Sequence, residues 1–165
     1  MNKLISSMVV MAVCAVLSVG AYGETLTGTL DVSVNAVPAC TMSVTGIAFP
    51  DFAGVPVTAN GDVTVNCVAT LPYHIALDAG LHAAGGARLV INATNNFINY
   101  TLFKDGGFAQ TWGDADFGNT YPNGTSLADA GTGIAQPHTV YGLLSAGGAV
   151  PPDLYADTVT VTLHY

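Results

Sequence analysis

The stretch TLTGTLDVSVNAV, residues 25–37, alternates almost without error: Leu26, Gly28, Leu30, Val32, Val34 and Ala36 on one side, Thr25, Thr27, Thr29, Asp31, Ser33 and Asn35 on the other. A period of two marks a strand with one buried face, so this segment needs an apolar surface to lie on. Only Val37, Pro38 and Ala39 separate it from Cys40, and the apolar parity runs on through Cys40, Met42 and Val44. The strand therefore need not fold back onto its neighbour. It has room to extend away and find its surface elsewhere.

Upstream, residues 1–23 read as a signal peptide: Lys3 in a short n-region, an apolar run from Met8 to Val19, and small residues at Ala21 and Gly23, with cleavage expected after Gly23. The apolar run is about a dozen residues, short of the roughly 18–20 that span a bilayer, and no second such run follows. A soluble exported product is expected, with Cys14 removed along with the signal. What remains holds two basic residues, Arg88 and Lys104, against eleven acidic ones. Nucleic acid and anionic membrane are excluded as partners, because each needs a basic face. So few charges, with abundant Thr, Asn, Gly and Ala, suit a surface largely covered by copies of itself.

Two cysteines remain after the signal, Cys40 and Cys67. An even pair in an exported chain reads as a disulfide, which in the chain-entropy account stabilises a fold by roughly 3–4 kcal/mol. Without a neighbouring His they make a poor metal site.

Strand-like segments recur between Gly, Pro, Asn and Asp. CTMSV places Cys40, Met42 and Val44 on one face; DVTVNCV does so with Val63, Val65 and Cys67, and YHIALDAG with Tyr73, Ile75 and Leu77. RLVIN is short and apolar; FINYTLFKDGG alternates through Ile98, Tyr100 and Leu102 to a turn at Lys104–Gly107. HTVYGLL adds a strand, and YADTVTVTLHY another through Tyr155, Val159, Val161, Leu163 and Tyr165. Residues 113–137, rich in Gly, Asn, Asp and Thr, read as loop or edge strand. No long segment has the helical period, so the chain is expected to be all-β, a one-domain β-sandwich.

The motifs of catalysis are missing: there is no G-x-S-x-G, no phosphate-binding Gly loop and no H-E-x-x-H. His74, His82, His138 and His164 are scattered singly, and His74 and His164 fall on the solvent phase of their strands. Asp114 and Asp116, with Asn119, lack the remaining positions of a calcium loop and read as turn formers. Catalytic residues, metal and cofactors are all expected to be none. The ends of the chain carry more. Both are regular strands, and a long edge strand without Pro in a small exported protein invites pairing with another chain.

The residues resemble the spore coat protein U domain family, which includes the pilins of archaic chaperone-usher (Csu-type) fimbriae. The likeness spans the expected mature chain. It is carried by the alternating leader before Cys40, GDVTVNC at 61–67, YHIALDAG at 73–80, YTLFKD at 100–105, TWGD at 111–114, GTGIAQPHTVYGLL at 131–144 and the closing YADTVTVTLHY. The resemblance implies an incomplete immunoglobulin-like β-sandwich over residues 38–165, with an N-terminal donor strand at 24–37, completed in trans by the neighbouring subunit. The donor residues would be Leu26, Gly28, Leu30, Val32, Val34 and Ala36, and Val159, Val161, Leu163 and Tyr165 the edge met by the chaperone. Burying the larger donor side chains would contribute on the order of 10 kcal/mol gross, with main-chain pairing added to it.

The function expected on this footing is a non-enzymatic structural subunit of a surface fimbria, serving attachment and biofilm formation. Its partners would be other copies or related pilins, a periplasmic chaperone and an outer-membrane usher. It would be exported through the periplasm to the cell surface. A spore coat or envelope structural protein is the near alternative, and a monomeric secreted sugar-binding sandwich the one from another class.

Overall fold

In the computed structural model, residues 23, 25–37 and 39–165 are described, and the expected signal peptide lies outside them except for Gly23. The chain divides into two compact units at residues 35 and 36. In the first unit the described residues of the leader form no strand, and Leu26, Leu30, Val32 and Val34 are almost wholly exposed.

The second unit holds eight strands: β1 (Cys40–Thr45), β2 (Val57–Cys67), β3 (Pro72–Leu77), β4 (Arg88–Ile91), β5 (Phe97–Phe103), β6 (Leu127–Ala130), β7 (Gln136–Leu144) and β8 (Val161–His164). They form two antiparallel sheets, ordered β1-β2-β7-β5-β4 and β6-β3-β8. The inward phases expected from the sequence meet between the sheets: Val63, Val65 and Cys67, Tyr73, Ile75 and Leu77, and Ile98, Tyr100 and Leu102 are all buried. Trp112 fills the centre and donates its indole N–H to the Ile75 carbonyl at 2.8 Å. Cys40 and Cys67 face each other across the β1–β2 ladder and are disulfide-bonded, their Cα atoms 4.1 Å apart.

The sandwich is not closed. Met42 and Val44 stand opposite Val65 and Val63, and directly opposed residues of a ladder share a face, so both point to the interior side. Yet Met42 is 37% exposed and Val44 53%, against zero for their partners. β1 and β8 are each the edge of their sheet, and no strand lies over this side of β1 among the described residues.

Two expectations need correction. The closing segment is not one long strand: its ladder covers only Val161–His164, so Val159 precedes it. Asp78 explains the early end, since its carboxylate accepts the Thr160 amide at 2.8 Å, taking a donor that a ladder would use. His74 and His164 lie on the outer face, as expected, but are only half exposed. The Phe117 ring stacks on His164 at 4.0 Å and meets His74 edge-on at 5.0 Å, which shields both.

Candidate functional site

Where the two sheets part, a cleft of about 670 Å³ opens into the core. Its floor is the apolar interior itself: Val63, Val140, Leu144, Ile98, Tyr100 and Leu102 from the larger sheet, Leu77 from the smaller. One wall is the segment from Val44 to Phe52 and the other runs from Asp153 to Val161. The cleft is therefore a missing layer of the sandwich, bounded by the edges that β1 and β8 leave unpaired.

Each wall is fixed by identifiable contacts. Ile47, Phe49 and Phe52 are half-buried against the core, and the Phe49 ring lies where a Cβ on Gly142 would come within 2.8 Å of it. That glycine sits on the buried phase of β7 between Val140 and Leu144 because the wall presses on the strand there. Gly147 donates its amide to the Gly54 carbonyl at 3.3 Å, which ties the loop after β7 to the first wall.

The second wall is held on both sides. Ala156 exchanges backbone hydrogen bonds with Ile91 of β4, while Leu81 and Asp78 donate their amides to Thr158 and Thr160. Between them sits Asp157, its side chain 2% exposed. Its carboxylate accepts the Tyr100 hydroxyl at 2.6 Å and lies 2.9 Å from His82 Nδ1. Burial and this carboxylate push the Tyr100 hydroxyl well above the usual tyrosine range, so it stays a donor. Gly80, at φ +82°, supplies the room, since any Cβ there would run into Asp157.

Of the edge residues expected from the sequence, Val159 and Val161 line the cleft, Leu163 is half-buried against the core beside it, and Tyr165 is exposed. The leader residues keep their apolar period of two but form no strand, and Gly28 and Ala36 are among the exposed positions. Sequence reasoning missed the first wall and Asp157. Gly142 on the apolar phase between Val140 and Leu144 was the signal for the former; nothing marked the latter.

Elsewhere the polar groups serve the fold. Asp114 accepts from the Thr120 amide and hydroxyl and the Tyr121 amide, and Asp116 from the Ser126 amide and hydroxyl, so both brace the long loop before β6 and not a single tight turn. Tyr73 lies 2.8 Å from His138 Nε2, and burial with the nearby Asp129 carboxylate pushes its hydroxyl up to about 12. Among the described residues no three His, Cys, Asp or Glu side chains cluster to hold a metal ion.

No curated protein matches the chain. The fold is similar to that in the crystal structure of the CsuC–CsuE chaperone–tip adhesion subunit pre-assembly complex from archaic chaperone-usher Csu pili of Acinetobacter baumannii, with a TM-score of 0.55 at 20% identity. The match covers 78% of this chain and 40% of that one, so the likeness is one of fold over less than half of the matched chain. Sequence places the chain more firmly, because residues 26–162 match the Spore Coat Protein U domain, and the chain belongs to that family.

Proposed function

We propose that this protein is a structural, non-catalytic subunit of a surface fimbria assembled through the chaperone-usher pathway, for attachment and biofilm formation. Its groove is an acceptor for the leader of a neighbouring subunit. The observation that carries the reading is a pair of complementary deficits in one chain: a core opened by a cleft of about 670 Å³ and a leader whose Leu26, Leu30, Val32 and Val34 are 87% exposed or more. A groove on one copy filled by the leader of the next is a heterologous contact that does not close on itself, and such contacts make fibres.

The reading extends to residues 1–23 as the signal peptide, 24–37 as the donor strand, and 38–165 as the acceptor domain. Leu26, Leu30, Val32, Val34 and Ala36 would face the floor, with Gly28 where the groove is shallow. Before assembly a periplasmic chaperone would hold the edge of Val159, Val161, Leu163 and Tyr165 by lending it a strand, and an outer-membrane usher would pass the subunit to the cell surface. A subunit complexed with a chaperone is what the matched Csu pilus structure contains, which supports this order of events.

The test compares the protein with and without residues 24–37. The intact protein is expected to form polymers and the shortened one to remain monomeric. Polymers from both would reject the reading.

A further inference from the structure

The groove carries three carboxylates and no base. Asp51 stands on one wall, Asp153 and Asp157 on the other, and among the described residues no Lys, Arg or His lines it. Asp157 is buried and engaged by Tyr100 and His82. Asp51 and Asp153 are exposed, and Asp153 accepts only the amide of its own neighbour, Leu154, at 2.8 Å.

No cation elsewhere in the described residues offsets them. Arg88 is fully buried, with its donors on backbone carbonyls. The Lys104 ammonium is held by the Thr125 hydroxyl and the Ser126 carbonyl at 2.8 and 2.7 Å. The rim is therefore of one sign on both sides.

A strand lying in the groove alternates its side chains between floor and mouth. With Leu30 and Val32 inward, the leader presents Thr25, Thr27, Thr29, Asp31, Ser33 and Asn35 to the mouth, and Asp31 is the one charge within residues 25–37. It sits at the middle of the stretch, within about 20 Å of either end at roughly 3.3 Å per residue. At low ionic strength, where charges are felt over about 30 Å, no register removes it from both rim carboxylates.

We infer that the groove selects its strand by charge: it takes a strand of this apolar period bearing Lys or Arg on the outward phase in preference to this chain's own leader. The favoured donor is then a related subunit with a basic outward phase, and a second copy is the weaker fit. The inference rests on the acceptor reading of the groove.

The test measures the critical concentration for fibre assembly of the full chain with D31N and D31K, at about 10 mM and about 500 mM NaCl. At low salt D31K is expected to assemble at a critical concentration roughly threefold to tenfold below the parent, with D31N between them. The gap should shrink to less than about twofold at high salt, where screening is nearly complete. It should also vanish when the groove carries D51N and D153N. An Asp31 parent that assembles as well as D31K at low salt, or a D31K advantage that survives D51N and D153N, overturns the inference. L30D separates the two levels: if it fails to assemble, the acceptor reading stands whatever the charge variants do. If it assembles like the parent, the acceptor reading falls and takes this inference with it.

Discussion

Arg88 is the least expected residue in the interior, because a charge is costly to bury unless every donor is used. Here each of its three nitrogens donates: the guanidinium makes four hydrogen bonds to the carbonyls of Leu77, Asp78 and Trp112 at 2.6–2.9 Å and lies 3.9 Å over the Tyr121 ring. It thereby joins β4 to the end of β3 and to the loop after Trp112. Arg88→Met keeps the bulk and strands three buried carbonyls, so a loss of about 3–5 kcal/mol is expected in denaturant unfolding; a loss under about 1 kcal/mol would mean water replaces the donors. None of this was legible in RLVIN, since its partners are backbone carbonyls that no sequence pattern marks, whereas Cys40 and Cys67 were legible by number and export alone. Asp114 gives a pH-dependent counterpart. Burial pushes its carboxyl up, but the Tyr121 amide, the Thr120 hydroxyl and amide, and the nearby Arg88 charge outweigh that, leaving it below the usual aspartate range. Between its folded and unfolded values the unfolded chain binds more protons, so the stabilisation is full above about pH 4 and drains away as pH falls through the depressed folded value. Asp114→Asn is expected to cost about 1–3 kcal/mol at neutral pH and to flatten the acid limb of stability against pH, as read by urea unfolding between about pH 2 and pH 7.

Period-two alternation makes strands legible where a face is buried, and most of the core strands were found that way. It failed where backbone and loop contacts decide. The wall from Val44 to Phe52 has no clean period, yet Ile47, Phe49 and Phe52 pack on the core because Gly142 leaves a seat for the Phe49 ring. The segment before β8 alternates well, but single backbone bonds to Ile91, Leu81 and Asp78, with the Asp78 and Asp157 carboxylates, hold it in place of a continuous ladder. The leader is the opposite case: its alternation is the clearest in the chain, and it pairs with nothing among the described residues. Alternation reports that a face requires burial and does not say in which molecule. Two inward changes, Leu30→Asp and Val32→Asp, would each set an unpaired charge in an apolar groove at several kcal/mol, and sedimentation of the purified variants should show them stalled as monomers. Ser33→Asp, on the outward phase, should still form fibres, with a critical concentration raised only by charge repulsion. Equal polymerisation of all three would reduce the leader to an ordinary first strand.

A protein with a hole in its core should be less stable alone than its size suggests, and its stability should depend on whatever fills the hole. The floor side chains at the cleft lose packing partners on one side, and β1 and β8 present unpaired edges to water. A protein lacking residues 24–37 is therefore expected to melt low, and a synthetic peptide of residues 25–37 to raise its melting temperature with the concentration dependence of a ligand that binds only the folded state. At a hundred times the dissociation constant the gain is about 2.7 kcal/mol, or roughly 8–12 °C for a domain of this size. The same peptide carrying Val32→Asp should shift it little, and one carrying Ser33→Asp nearly as much as the parent. Two features of the outcome separate strand addition from loose apolar binding. A strand must satisfy edge amides as well as fill the cleft, so the β-sheet signal in infrared absorption should grow with occupancy, and backbone amides of Val161–His164 should become protected from hydrogen exchange. A scrambled peptide of the same composition would still offer apolar side chains but not on one face; if it stabilises the domain equally, the cleft is an apolar sink and not a site shaped for a strand.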